Sequence, residues 1–438
     1  MQDESDLIAS VMVADPWMVS LMSVPVLRPV SDRLGSAMEE IAGLRDSDLP
    51  GWSRVAFTEP DIEGRQWVAR RMQAAGLQTH IDAVGNIIGV LPGTSPSAPA
   101  IVTGSHTDTV PGGGRFDGVV GVLGAIEMVE MFREAGVRLT HELRVVDFSN
   151  EEGNPQGVKL VGSRAISGEL TPGDLAAADA GGTTLGDLLT GAGLFPEQAA
   201  SCRWDAGDVA AFIEMHIEQG PVLEQQGASL GIVTRICGIS NFVVDVVGQR
   251  DHAGTTPMNQ RRDAMCSAAG TILAVERLAA SGADSVGTVG NLTTSPELTN
   301  VVSEQARLTG EFRSPHTKRL RELEDELTIE TEKLDAQWQT TSMLSWGQFD
   351  APTPMDELVS GELVKAARAV GHDALRLYSG ATHDTVQMAR LGPTGMIFIP
   401  STGGRSHCPE EWTDLGYITD GVAVLAQSIL SLDATLSA

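Results

Sequence analysis

Two short segments set a histidine and carboxylates at spacings that suit a metal ion. GSHTDTV carries His106 and, two residues on, Asp108, at the end of the apolar run 98–106. A neutral imidazole binds an ion through one ring nitrogen, and a nearby carboxylate can fix its tautomer through the other. By itself the pair reads equally well as a loop histidine capped by an aspartate. GGGRFDG adds Asp117 eleven residues after His106, in a glycine-rich turn, and a carboxylate has two oxygens with which to bridge two ions. DFSNEEG ends a second apolar run with the adjacent acids Glu151 and Glu152. Adjacent acids are ordinarily a solvated turn. Behind a buried strand they point into a site, where one can bind metal while the other moves protons.

His216 in EMHIEQGP follows the strand-like AAFIEM, and His407 in STGGRSHCPEE follows MIFIP. A lone histidine after a strand is more often structural. Two of them at strand ends, in a chain with 9 histidines, point to ligands. His252 in GQRDHAGTTPM and His383 in SGATHDT stand in polar, glycine-containing contexts. His80, His141, His316 and His372 lack such a context and read as surface or structural.

The elements that must position these groups follow from periodicity. Apolar residues recur at helical spacing over 33–43 and 61–76. Strands are expected over 83–93, 98–106 and 141–153, with a small-residue helix over 117–136 between the last two. A buried parallel strand delivers ligands at its carboxyl end, and strands alternating with helices argue an α/β sheet. From about 231 to 347 the order becomes β-α-β-β-α-β, the split ferredoxin-like pattern of an inserted domain. A helix from 356 to 371, the loop SGATHDT, the strand TGMIFIP and a last helix over 419–433 return to α/β character. The expected domains are therefore a catalytic domain in two segments, 1–231 and 347–438, and an inserted domain at 232–346, with hinges near Gly231 and Gly347. Residues 1–35 have no clear periodicity and read as an extension or lead-in helix.

Composition limits the partners. The 438 residues include 30 basic and 58 acidic ones, a formal charge of -28. Such a surface repels nucleic acid and anionic membrane. It also repels an anionic substrate at long range, so that substrate would need a local cationic pocket. The lysines are Lys159, Lys318, Lys333 and Lys365. Cys202, Cys237, Cys266 and Cys408 are far apart and form no CxxC pair, against a thiolate zinc site and in keeping with a reducing compartment. The acidic N-terminus lacks the cationic and apolar regions of a signal peptide, and no run of 18 apolar residues occurs, so a cytoplasmic location and no membrane span are expected.

GSHTDTVPGGGRFDG, SNEEG, GSRA, EMHIEQGPVLE, DHAGTTPM, SGATHD and GGRSHCPEE, in this order, resemble the M20-type metallohydrolases. More narrowly they resemble the branch with N-carbamoyl-L-amino-acid hydrolases, β-ureidopropionases and allantoate amidohydrolases, for which HIEQGP is the marker. The resemblance covers roughly residues 50 to 430. It implies a metal-binding α/β catalytic domain with a mixed sheet and a ferredoxin-like lid that pairs two chains. It implies two divalent ions per subunit, zinc or else manganese, cobalt or nickel. His106 and His216 would hold one ion, Glu152 and His407 the other, and Asp117 would bridge them. Asp108 would orient His106, and Glu151 would be the general base. Gln219 would touch a small carboxylated substrate, His252 would meet the tetrahedral oxyanion, and Asn300 and Arg313 would bind the substrate carboxylate. An arginine suits bidentate binding of that group.

One segment departs from the pattern. The family's usual SGAGHDA is here SGATHDT, with Thr382 and Thr385 in place of a glycine and an alanine, so Thr382 and His383 are expected against the substrate. The leading expectation is hydrolysis of an N-carbamoyl amino acid. Alternatives are an allantoate amidohydrolase, an N-acyl-amino-acid amidase, or an inactive binding homologue, which retention of every ligand and of Glu151 disfavours.

Overall fold

The computed structural model describes residues 26–437 apart from Ala283, so the reading of the N-terminal segment before residue 26 lies outside the described residues. The larger sheet has nine strands: β1 (Gln78–Ile81), β2 (Ile87–Leu91), β3 (Ala100–His106), β4 (Leu143–Phe148), β5 (Val209–Ile217), β6 (Gly231–Ile236), β11 (Thr353–Pro354), β12 (Leu375–Ser379) and β13 (Thr394–Ile399). Its order is β1-β2-β4-β3-β5-β13-β6-β11, with β12 also on β6. β4, β3, β5 and β13 are mutually parallel neighbours at the centre. The outer pairs β1–β2, β2–β4 and β13–β6 are antiparallel, so the sheet is mixed.

The four central strands are near-continuous apolar runs because both faces are covered. One face packs on α1 (Ser31–Gly43), α2 (Glu59–Ala74), α3 (Val119–Glu134), α6 (Glu357–Val370) and α7 (Leu415–Leu436), through Val68, Ile101, Val122, Ile213 and Ile397. The other packs on the short helices Val161–Ser167 and Thr385–Met388, through Val102, Phe148, Phe212 and Met388. By length and apolarity α7 could cross a membrane, but 56% of its most apolar window is buried, where Val422, Leu425 and Ile429 fill the core. It is the central helix of a packed domain.

The smaller sheet has four antiparallel strands: β7 (Gly238–Val247), β8 (Val286–Ser295), β9 (Gln305–Ser314) and β10 (Thr341–Asp350), in the order β10-β7-β9-β8. With α4 (Ala264–Ala280) and α5 (Thr317–Trp338) it is the ferredoxin-like β-α-β-β-α-β unit. Its alternating strands bury Phe242, Val244, Leu308 and Phe312 against Val275, Leu320 and Leu323 of the helices and leave the opposite sheet face open.

The boundary differs from the expected one. β6, read with β7 as one stretch, pairs with β12 and β13 in the larger sheet, and the chain crosses to the smaller sheet at Cys237. It returns after Asp350, and β11 pairs again with β6. Apolar periodicity runs unbroken across 231–247, so the switch of sheet leaves no mark in the sequence. β1 and β12 were not expected at all; both are short strands with mostly exposed or half-exposed side chains.

Candidate active site

Because β4, β3, β5 and β13 are parallel, their carboxyl ends share one edge of the sheet. His106 is the last residue of β3, and His216 the last but one of β5. Glu151 and Glu152 follow β4, and His407 lies in the loop after β13. Asp117 stands two residues before α3. The side chains converge on Asp117. Its Oδ1 lies 3.2 Å from His216 Nε2 and 3.6 Å from His106 Nε2, and its Oδ2 3.3 Å from His407 Nε2. His407 Nε2 is in turn 3.3 Å from Glu152 Oε1. Each oxygen of Asp117 thus faces a different ligand group, His106–His216 on one side and Glu152–His407 on the other. Glu151 Oε2 is 3.8 Å from His106 Nε2, at the edge of the same cluster.

Close packing holds this geometry. Gly118, at φ 66°, leads into α3 directly beneath His106, where an added Cβ would lie 2.5 Å from the imidazole. Asn150, Gln219 and His407 also take positive φ, 52°, 60° and 55°, at three corners of the site. For non-glycine residues such backbone costs of order 1–3 kcal/mol and persists where the surroundings enforce it.

The charges show what the cluster lacks. Burial pushes the Glu151 carboxyl well above its usual range, and Glu152, Asp384 and Asp108 add to the shift. Glu152 is raised in the same way by burial, then by Asp117 and Asp108. Burial alone would raise Asp117 too, but His216, His407 and His106 overcome it and hold the carboxyl well below its ordinary value. The reverse holds for His216, which burial lowers and Asp117 pushes up to about 9. Glu152 Oε1 is buried and accepts no hydrogen bond, although His407 Nε2 stands 3.3 Å away. A buried, mutually repelling carboxylate set with an orphaned oxygen needs cations, and oxygen and imidazole nitrogen donors suit divalent zinc, manganese, cobalt or nickel. The residues fit such ions.

Several contacts differ from the expected ones. His106 Nδ1 is 3.0 Å from the backbone carbonyl of Asp108, whereas the Asp108 carboxylate is 3.7 Å away. That carboxylate accepts the N–H groups of Glu151 and Glu152, at 3.1 and 3.2 Å, and so positions the acidic turn instead. His216 likewise keeps its tautomer through a backbone carbonyl, Ile217 O, at 2.9 Å. Gln219, expected on the substrate, donates to Asp117 Oδ2 at 2.6 Å. His383 is buried, 2.9 Å from Ser379 Oγ, with its ring edge-on to His216 at 4.6 Å. Thr385 is buried too, and its hydroxyl donates to Glu214 Oε2 at 2.6 Å; Thr382 is half-buried.

In the smaller domain His252 and Asn300 are exposed neighbours, joined by the bridge His252↔Val301 and by Ala253 N–H donating to Asn300 O at 3.1 Å. Among the described residues no hydrogen bond links either to the ligand cluster. Arg313 does reach across: its Nη1 donates to Gly380 O at 2.9 Å, while its Nε donates to Glu311 at 2.7 Å.

Two supports had no role in the sequence reading. Glu411 accepts the N–H groups of Phe116 and Asp117 at 2.8 and 3.1 Å, and Ser406 Oγ lies 2.7 Å from both Glu411 and Asp117 Oδ2. Gly114 makes room for it, since a Cβ there would stand 2.1 Å from the carboxylate. Glu214, two residues before His216 on the same strand face, accepts from Ser105 at 2.7 Å as well as from Thr385. Although near His216 and His383, its oxygens are already satisfied, unlike Oε1 of Glu152. The even spacing of Glu214 and His216 was the available signal; Glu410–Glu411 looks like any solvated acidic turn.

Residues 102–431 match peptidase family M20/M25/M40, and the chain belongs to that family. It is 36% identical over 401 residues to an N-carbamoyl-L-amino acid amidohydrolase of Geobacillus stearothermophilus, covering 92% of this chain and 98% of that one. It is 34% identical to a ureidoglycolate hydrolase of Arabidopsis thaliana, covering 91% of this chain and 86% of that one. The crystal structure of a hydantoinase/carbamoylase family amidase from Burkholderia multivorans superposes with a TM-score of 0.85 at 31% identity, over 93% of this chain and 99% of that one.

Proposed function

We propose that the chain hydrolyses the ureido C–N bond of a small carboxylated N-carbamoyl L-amino acid, giving the amino acid, ammonia and carbon dioxide. The observation that carries the reading is the two-sided ligand cluster around Asp117, with the buried Glu151 at its edge. His106 and His216 would hold one divalent ion, and Glu152 and His407 the other, with Asp117 between them. Such ions, when bound, polarise a carbonyl and bring the pKa of water toward about 7. Glu151 takes the proton of the attacking water and returns it to the leaving nitrogen. Asp108 holds Glu151 through its backbone N–H. Arg313 and Asn300 would engage the substrate carboxylate, and His252 would donate to the oxyanion as the smaller domain closes and excludes water. That domain would also pair two chains. The acidic surface and four free cysteines support a cytoplasmic enzyme without nucleic-acid or membrane partners.

The test is ammonia release from a panel of ureido acids, beside amine release from N-acyl amino acids, after chelation and after return of zinc, manganese, cobalt or nickel. Metal-dependent ammonia from ureido acids is expected. Release of amines from acyl amino acids with no ammonia from any ureido acid would rule the reading out.

A further inference from the structure

Of the four lysines, three are ion-paired: Lys333 with Glu330 and Lys365 with Glu362, each at 2.7 Å, and Lys318 with Glu322 at 3.5 Å. Lys159 has no ion-pair or hydrogen-bond partner among the described residues, in a chain with 58 acids. Its place is fixed by the loop that follows Glu151 and Glu152. Leu160 N–H donates to Glu151 O and Val161 N–H to Asn150 O, each at 3.1 Å, which closes the loop back onto the acidic turn. Val158 and Leu160 are buried, so the side chain between them faces out. The lysine stem lies across Gly153: a Cβ there would be 3.0 Å from Lys159 Cγ and 3.6 Å from Cε. The stem therefore runs beside the Glu151–Glu152 turn, and the charge at its end favours the ionised form of Glu152. Arg313, on the smaller domain, is engaged with Glu311 and Gly380. The smaller domain thus carries the arginine proposed for a first carboxylate, and the loop after Glu152 carries an unpaired ammonium.

We infer that Lys159 is a specificity-determining residue that receives a second anionic group, so that the preferred substrate is a ureido acid whose side chain carries a carboxylate. This rests on the ureido-acid reading above. On a surface of charge -28, an unpaired cation is the one local attraction such a side chain meets on that loop.

The experiment compares kcat/KM for N-carbamoyl-L-aspartate and N-carbamoyl-L-asparagine, which differ by one charge at nearly equal size, in the wild type, Lys159→Met and Lys159→Arg, with bound metal measured in each. The wild type should favour the aspartate derivative. Lys159→Met should cut that preference about fivefold, the scale of an exposed ion pair, and leave the asparagine derivative and the metal content unchanged. Lys159→Arg should restore it. Equal losses on both substrates together with lost metal would make Lys159 a counter-charge for the ligands and overturn the inference. An unchanged ratio would overturn it as well. If the wild type releases ammonia from neither compound nor from any other ureido acid, the activity itself falls and this assignment with it.

Discussion

At the scale of single residues, the proposed mechanism assigns binding and proton transfer to different groups. Glu151 and Glu152 are adjacent, yet Glu152 faces His407 while Glu151 stands beside His106. Glu151→Gln preserves shape but cannot accept a proton, so kcat should fall about 10²–10⁴-fold with metal content unchanged. Near-normal turnover by a metal-replete Glu151→Gln protein would remove Glu151 as the base. Glu411 acts one step further out, tying the Asp117 loop to the His407 loop. Glu411→Ala should weaken metal binding about 10–100-fold, as loss of such supporting groups commonly does. Glu411→Gln should recover most of it, because an amide oxygen can still accept the two N–H groups while its NH₂ faces Ser406. Competition with a chelator measures both, and equal affinities for the wild type and Glu411→Ala would count against the role.

At the scale of elements, the parallel block β4-β3-β5-β13 carries the candidate ligands, and the ferredoxin-like unit carries the residues proposed to approach them. Arg313 already spans the two, so it should act chiefly on binding. Arg313→Ala should raise KM for carboxylated substrates about 10–100-fold, the range of a charge-assisted hydrogen bond, with a smaller change in kcat. His252 is exposed and touches no ligand residue, so its effect should appear when the domain closes. His252→Ala should lower kcat about 10²–10³-fold with KM little changed, by analogy with oxyanion donors. Steady-state kinetics separates the two outcomes. If Arg313→Ala alters neither KM nor the preference for carboxylates, its pairing with Glu311 is its whole role. Most elements were legible from apolar periodicity because burial on one face or both imposes it. β1 and β12 were not, being short, largely exposed strands whose existence depends on pairing with β2 and β6.

At the scale of the whole molecule, buried charge couples stability to pH. Asp61 on α2 is buried, with one oxygen accepting Phe57 N–H at 2.8 Å and the other unpartnered. Burial pushes its carboxyl up to about 7 against the attraction of Arg65. An acid with a raised pKa in the folded state holds its proton longer there than in the unfolded chain. Its contribution is full below pH 4 or so and is lost as pH rises through about 7. Between pH 5 and 8 the wild type should therefore lose about 2 kcal/mol more stability than Asp61→Asn. Denaturant unfolding at the two pH values measures the difference, and parallel losses in the two proteins would contradict it.

The sequence by itself determined the candidate ligand types, their order along the chain and the two kinds of fold unit. Residue chemistry and apolar period are local properties, and seven ordered motifs carried the family resemblance. Only the tertiary structure decided who touches whom. Asp108 meets the backbone of Glu151 and Glu152 rather than the ring of His106, and Thr385 meets Glu214 rather than open pocket. Glu411 reaches Asp117 across 294 positions of chain, and β6 leaves one sheet for another without a break in its pattern. These contacts depend on strand register and loop closure. Those are set by the summed packing of the whole sheet, and no short stretch of sequence contains them.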